Sequence, residues 1–190
     1  MSADSPNRAR AAATDSLFFA LFPDEAAAAR LADLSAQLRS QYGLKARVIP
    51  SGRLHVTLHY LGAFAGLPDE LIARAQAAAS SIALPPAEIE LARIESFPGR
   101  RAKRPLVLSG DASPSLHALE HTLHAALADA GIAVKRHPRF VPHITLLYDE
   151  QRVPPHPVAP VAWRAREFAL VRSLLGQSRH EVLTRWPLEG

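Results

Sequence analysis

The stretch His55-Val-Thr-Leu-His-Tyr-Leu61 decides the fold, because a close copy, His143-Ile-Thr-Leu-Leu-Tyr-Asp149, follows 88 residues later. Successive side chains of an extended strand point to opposite faces of a sheet. Each copy therefore predicts a strand with a histidine and a threonine on one face and apolar residues on the other. A His-x-Thr-Leu string is expected roughly 0.03 times by chance in a chain of this composition. Two copies therefore indicate a functional pair rather than two ordinary half-buried strands.

The repeat is longer than the motif. A shift of 88 residues superimposes several matching residues: Gly43 on Gly131, Pro50 on Pro138 and Tyr60 on Tyr148. The apolar run 18–20 falls on the run 106–108, and a helical stretch follows each run. We therefore predict a duplicated β-α-β unit, at about residues 17–61 and 105–149, which brings both His-x-Thr faces to one cleft.

Local patterns give the remaining elements. Residues 16–22 predict a buried strand, and Asp24 is placed to cap a helix that ends at Gly43. Residues 46–49 predict a short strand, and Pro68 fits the first turn of a second helix. A third helix, ended by Gly131, carries one apolar stripe: Leu116, Leu119, Leu123 and Leu127. A proline-rich link (154–160) precedes strands at about 161–173 and 179–186. Helices and strands mix without regular parallel alternation, so the class is α+β.

Composition limits the broad class. The chain has 190 residues, no cysteine and a net charge of +4. A cysteine-free sequence excludes disulfides and thiolate metal sites and suits the cytoplasm, while the positive charge favours an anionic partner. We expect residues 1–15 to form a disordered tail without a signal-peptide core, and residues 16–190 to form one bilobal domain. No apolar run is long enough to span a membrane, and we expect a monomer.

Three further stretches accompany the two motifs: Leu17-Phe-Phe-Ala-Leu21, Arg139-Phe-Val-Pro-His143 and Trp186-Pro-Leu188. Together they resemble the two-histidine (2H) phosphoesterases, and most closely the bacterial RNA 2′,3′-cyclic phosphodiesterases, historically called 2′-5′ RNA ligases. The resemblance covers about residues 16–188. It agrees with duplicated β-α-β units whose antiparallel sheets face a central cleft, with the helices outside.

The paired motifs carry groups suited to phosphodiester chemistry. An imidazole titrates near pH 6.5, so one histidine can take a proton from water while the other protonates a leaving alkoxide. The hydroxyls of Thr57 and Thr145 can donate hydrogen bonds to the phosphate oxygens in the transition state. No metal or cofactor is required. Spacing alone does not show which histidine is the acid and which is the base. From the resemblance we assign His55 as the acid and His143 as the base.

The resemblance implies hydrolysis of RNA 2′,3′-cyclic phosphate to a 2′-phosphate end, with reversible 2′-5′ ligation as a second activity. The implied partners are RNA ends or nucleotides that carry a 2′,3′-cyclic phosphate. An alternative is a related cyclic phosphodiesterase that acts on nucleotides or on ADP-ribose cyclic phosphate. A non-catalytic RNA-binding module of the same fold is a third possibility, and the intact histidines and threonines argue against it.

Several other residues are candidates for substrate binding. Relatives often carry a phosphate-binding arginine at the position of Tyr148, and Arg139 is the nearest substitute here. The odd offset of Tyr60 and Tyr148 from their histidines predicts that both rings pack towards the core. Phe140 can stack on a base, although a core role is favoured. A basic loop can either track RNA phosphates or be merely solvated: Arg100, Arg101, Lys103 and Arg104.

One rival motif lies on the third helix. His117-Ala-Leu-Glu-His121 matches the His-x-x-Glu-His string of a class of zinc peptidases, in which two histidines hold zinc and a glutamate is the base. A zinc hydrolase using His117, Glu120 and His121 is therefore a less favoured alternative. His124 continues the same row, so a polar helix edge explains the pattern equally well.

Overall fold

The computed structural model describes residues 12–98, 102–135 and 139–189. The helices of this part are α1 (Glu25–Gln41), α2 (Asp69–Ser80) and α3 (Pro114–Asp129), with one 3₁₀ turn at Ser51–Arg53. Its strands are β1 (Asp15–Leu21), β2 (Val56–Phe64), β3 (Ala87–Ser96), β4 (Arg104–Ser109), β5 (His143–Asp149), β6 (His156–Ala165), β7 (Glu167–Leu174) and β8 (Arg179–Pro187).

All eight strands form one antiparallel sheet in the order β6-β3-β4-β5-β2-β1-β7-β8. The two motif strands, β2 and β5, lie side by side at its centre, and the first strand of each copy, β1 or β4, flanks its own motif strand. The halves of the sheet join where Val56 pairs with Ile144. The predicted α+β fold is confirmed, and the sheets of its two halves are continuous through this pair.

The two copies use the same local devices. Asp24 caps α1 by accepting a hydrogen bond from the Ala27 amide at 2.8 Å, and Ser113 caps α3 through the Leu116 amide at 3.2 Å. Each helix is followed by a glycine with positive φ, Gly43 at 61° and Gly131 at 69°, a conformation that glycine adopts at little cost. Both predicted helix ends are confirmed.

One face of the sheet packs against the helices and forms the core. The predicted leucine row of α3 is fully buried there: Leu116, Leu119, Leu123 and Leu127. Val56, Leu58, Ile144 and Leu146 from the motif strands join the same core. A small separate apolar cluster consists of Phe18, Ala20, Ala169 and Val171, with Phe22 beside it. These residues come from β1 and β7 and lie on the opposite face, which carries the motif histidines.

Three predictions about the elements were wrong. Residues 46–49 are not a strand, although the Ile49 amide donates to the Leu146 carbonyl at 2.8 Å. The predicted strand 161–173 breaks at Arg166, and its parts, β6 and β7, belong to opposite halves of the sheet. β6 also begins inside the predicted proline-rich link. It is an edge strand, where a missing proline amide breaks no ladder hydrogen bond.

At the N-terminus, residues 1–11 of the predicted tail lie outside the described part of the chain. Asp15 is the first residue of β1 and is buried, with the Arg172 guanidinium 2.6 Å from its carboxylate. No helix in the described ranges is both long and apolar enough to cross a membrane.

Candidate active site

The pairing at the centre of the sheet sets the arrangement of the two motifs. Since Val56 lies opposite Ile144 in an antiparallel pair, His55 falls opposite Thr145 and Thr57 falls opposite His143. All four side chains are half-buried and lie on the face that does not carry the helices. Each histidine is therefore one residue from the point where the two halves join, and the His143 charge acts on His55, so the two imidazoles share one cleft.

Both motif histidines are held in the same tautomer. His55 Nδ1 donates to the Arg53 carbonyl oxygen at 2.7 Å, and His143 Nδ1 donates to the Val141 carbonyl oxygen at 2.9 Å. A carbonyl can only accept, so the proton of a neutral ring resides on Nδ1 in both cases. Nε2 is then the nitrogen of each ring that can take a proton from a ligand or, once protonated, return it.

Aromatic rings fix the orientation of each imidazole. Phe18 of β1 stacks on His55 with the ring centroids 4.8 Å apart, and Phe97, just after β3, packs on His143 at 4.9 Å. Burial lowers the pKa of His55 below the ordinary value of 6.5, and the charges of Arg53 and His143 lower it further, against the opposing effect of the hydrogen bond to the Arg53 carbonyl. His55 is therefore mainly neutral at pH 7.

A third histidine, His180 of β8, lies beside His55. The two rings meet edge to face at 5.2 Å, and His180 also contacts Phe18 at 5.5 Å. Burial, followed by the charges of His55 and Arg53, lowers the pKa of His180 to about 4. The sequence prediction missed this residue because no motif surrounds it and β8 is more than 120 residues from His55 in the chain.

Two matching β-bulges correct the prediction for the tyrosines. In the pairing of β1 with β2, Ala20 lies opposite Thr57 and Phe19 opposite His59, so Leu58 is an extra residue. In the pairing of β4 with β5, the extra residue is Leu146. A bulge turns the following side chains to the other face. Tyr60 and Tyr148 consequently lie on the histidine face, 54% and 51% exposed, and not in the core.

The bulge in β2 also turns its second histidine towards the helices. His59 is buried, and its Nε2 lies 3.0 Å from the Glu120 carbonyl oxygen and 3.6 Å from the Glu120 carboxylate. Glu120, the base in the zinc alternative, is thus engaged with His59 on the core side of the sheet. His117 and His121 are exposed on α3, with the His117 ring 6.4 Å from that of Phe140. The described residues include no group of three or more side chains arranged to hold a metal ion.

Of the other substrate-binding candidates in the described residues, three line two cavities and one packs against the main core. Arg139 is exposed and paired with Asp111 at 2.8 Å, on the rim of a cavity of about 800 Å³ that Val141 and Ser109 also line. Phe140 packs against the main core. Lys103 and Tyr148 line a second cavity of about 340 Å³, next to Lys45. Arg104 begins β4, whereas Arg100 and Arg101 lie outside the described residues.

Comparison with known proteins agrees with this geometry. A family model described as the 2′-5′ RNA ligase superfamily matches residues 17–177, which include both motif strands. The chain belongs to this superfamily. The 2H phosphoesterase resemblance of the sequence is thereby confirmed. A search of curated protein sequences found no match to this chain.

Several solved structures have the same fold as this chain. TT0787 of Thermus thermophilus is 28% identical, with a TM-score of 0.72 over 92% of this chain and 98% of that one. The apo form of E. coli LigT is 26% identical, with a TM-score of 0.67 over 94% of this chain and 100% of LigT. LigT has also been crystallised with NADP+ and with 3′-AMP.

Proposed function

We propose that the protein is an RNA 2′,3′-cyclic phosphodiesterase that opens the cyclic phosphate to leave a 2′-phosphate end. The observation that carries this proposal is the pairing of Val56 with Ile144, because it puts His55 and His143, each one residue from that pair, at the junction of the two halves. Two proton-transfer groups and two neutral donors around one cleft match the needs of in-line displacement at phosphorus. The superfamily membership supports the same chemistry class.

The reaction requires two coordinated proton transfers. A water oxygen attacks phosphorus, one imidazole Nε2 takes the water proton, and the bond between phosphorus and the ribose 3′ oxygen breaks. The other imidazole, protonated at Nε2, gives its proton to that 3′ oxygen. Because the pKa of His55 is lowered, His55 is the neutral ring that suits the base. We therefore assign His55 as the base and His143 as the acid, the reverse of the assignment made from the sequence.

The threonines act on the phosphate rather than on the protons. Thr57 and Thr145 extend from the same sheet face as the histidines, so their hydroxyls can donate to the two non-bridging oxygens of the phosphate. Negative charge grows on those oxygens as the water attacks, and a fixed donor stabilises the transition state more than the substrate.

The proposed substrate is an RNA end or a nucleotide that carries a 2′,3′-cyclic phosphate. The protein would act as a monomer in the cytoplasm, with its described residues folded as one domain. Ligation of a 2′-5′ linkage is the same chemistry in reverse, with a ribose hydroxyl in place of water. Cyclic nucleotides or ADP-ribose cyclic phosphate are the alternative substrates. The nucleotide complexes of LigT support this alternative, because a related fold accommodates a mononucleotide and a dinucleotide.

The test is turnover of an RNA that ends in a 2′,3′-cyclic phosphate, with the product end mapped by phosphorus NMR. We expect a 2′-phosphate, formed equally well with EDTA present. His55→Ala and His143→Ala should lose activity, whereas His121→Ala, which removes an exposed histidine from α3, should keep it. Loss of turnover in EDTA and recovery with zinc would contradict the proposal and favour the site at His117, Glu120 and His121.

A further inference from the structure

Arg53 places a positive charge next to His55. It ends the 3₁₀ turn that precedes β2, and its carbonyl holds His55 Nδ1. Its side chain is half-buried, and Nε is buried without a hydrogen-bond partner. Within the described ranges no carboxylate lies in ion-pair distance of its guanidinium. A buried N–H without an acceptor is costly, and an ordered water or a bound anion beside it would remove that cost.

His180 provides a second nitrogen of the same kind. Its Nδ1 is buried without a hydrogen-bond partner, although the ring touches His55 and Phe18. The charge of Arg53 contributes to the low pKa of both His55 and His180, so the guanidinium acts on both imidazoles. His55 and His180 are in ring contact, and Arg53 precedes His55 by two residues, so the three side chains come from two distant parts of the chain to one region of the cleft face.

The cavity beside this region has an excess of positive charge. His180 lines it together with Phe22, Ser51 and Gly52, and its volume is about 630 Å³. Of the described residues that line it, the two acidic ones are both engaged: Asp24 caps α1, and Glu167 forms an ion pair with Arg185. Arg164 also lines it and is paired with Glu88 at 3.2 Å, so Arg166 is the lining arginine for which the described residues provide no ion pair. This cation at the cavity makes the cavity suited to an anion.

The geometry points to an anion subsite formed by Arg53 and His180 beside His55, which receives a phosphate group of the substrate. This inference rests on the proposed function, since it names where the substrate's charge is held. The Arg53 guanidinium would donate to two phosphate oxygens, and the neutral His180 ring would donate its single N–H. The subsite also supplies the charged phosphate ligand that Tyr148 cannot provide.

Binding of inorganic phosphate and of adenosine 2′-monophosphate, measured by calorimetry, tests the subsite without requiring turnover. Arg53→Gln should weaken both by about 10- to 100-fold, the usual effect of losing a charge-assisted hydrogen bond. Arg53→Lys should lose less affinity than Arg53→Gln. His180→Phe, which keeps an aromatic ring but removes both ring nitrogens, should lose affinity several-fold. Arg39→Gln removes the same charge from the exposed side of α1 and should bind as wild type. Equal binding by wild type and Arg53→Gln would overturn the proposal.

Kinetics identify which phosphate the subsite holds. If it holds the scissile phosphate, Arg53→Gln should slow the hydrolysis of adenosine 2′,3′-cyclic monophosphate and of a dinucleotide with a cyclic end to the same degree. If it holds the preceding phosphodiester, only the dinucleotide should be slowed. Either result supports the subsite, and unchanged kinetics with both substrates would contradict it. Wild-type protein that binds phosphate through Arg53 but hydrolyses no cyclic phosphate would refute the proposed function and leave the subsite standing.

Discussion

Leu58 and Leu146 are the extra residues of two β-bulges that occupy the same position in the two copies of the motif. Each bulge places two consecutive side chains in the core, Leu58 with His59 and Leu146 with Leu147. The next residue of each strand, a tyrosine, then returns to the face of the histidines. The two copies thus share a distortion of the strand as well as the residues of the motif, and each distortion brings a tyrosine to the face of the histidines.

Because the bulge in β5 turns Tyr148 to the cleft and Leu147 to the core, alanine substitutions at these neighbouring positions should affect substrate binding and stability, respectively. Tyr148→Ala should raise KM for a cyclic-phosphate substrate and leave the melting temperature within about 2 °C of wild type, because the exposed ring contributes little to packing. The matched control Leu147→Ala should cost about 2–5 kcal/mol of unfolding free energy, because Leu147 is fully buried. Thermal unfolding and steady-state kinetics of both variants check this. A large loss of stability in Tyr148→Ala would show that the ring packs as core.

The two motif histidines should behave as one unit. Removing either should lower kcat/KM by about 10²–10⁴-fold, and the double variant should lose clearly less than the product of the single losses. Thr57→Ala and Thr145→Ala should each cost about 10-fold or more, because one donor to the phosphate is lost while the proton path survives. Rates of folded variants, checked by circular dichroism, decide this. Wild-type turnover by folded His55→Ala and His143→Ala would make the motifs structural.

The lowered pKa of His55 should respond to Arg53. Because the Arg53 charge disfavours the imidazolium, Arg53→Gln should raise the pKa of His55 and move the acid limb of the kcat/KM profile to higher pH. Burial is the larger cause and stays, so the pKa should remain below 6.5. Histidine NMR titration measures the shift directly. Arg39→Gln should leave the titration unchanged, and a fall in the pKa of His55 in Arg53→Gln would contradict the electrostatic account.

Asp149 should make the fold sensitive to acid. The hydrogen bond from the Gln151 amide, joined by those from Ala46 and Lys45, holds the pKa of this buried carboxyl below its ordinary 3.8, against the effect of burial. The folded protein therefore binds this proton less tightly than the unfolded chain. The resulting stability is complete above about pH 4 and is lost as pH falls through the lowered pKa. Denaturant unfolding between pH 6 and 2 should show a shallower acid loss for Asp149→Asn than for wild type.

The basic loop should contribute to binding more than to chemistry. Replacing Arg100, Arg101, Lys103 and Arg104 by alanine should raise KM for RNA and flatten its dependence on salt, with kcat nearly unchanged. Lys103 is exposed at the cavity that contains Tyr148, which places at least this charge beside the motif strand. Kinetics at several salt concentrations measure the effect. The same salt dependence in the variant and in wild type would indicate that the loop is merely solvated.

The sequence alone determined the features that depend on short-range patterns. The two His-x-Thr strands follow from alternation within seven residues, and the helix ends follow from a cap at one end and a glycine at the other. The leucine row of α3 follows from helical spacing in the same way. The repeat then required two copies with equivalent places, and β2 and β5 do lie together at the centre of the sheet.

Only the tertiary structure decided which distant residues meet the motifs. His180 reaches His55 because β8 pairs with β7, which pairs with β1, and no local pattern in β8 encodes those partners. The bulges at Leu58 and Leu146 depend on the register against β1 and β4, so they reverse a face assignment made from alternation within one strand. Arg53 shows the same limit, since only the fold determines that no carboxylate of the described residues reaches its guanidinium. Sequence patterns record a residue's neighbours within a few positions, whereas strand register and burial are set by the whole sheet.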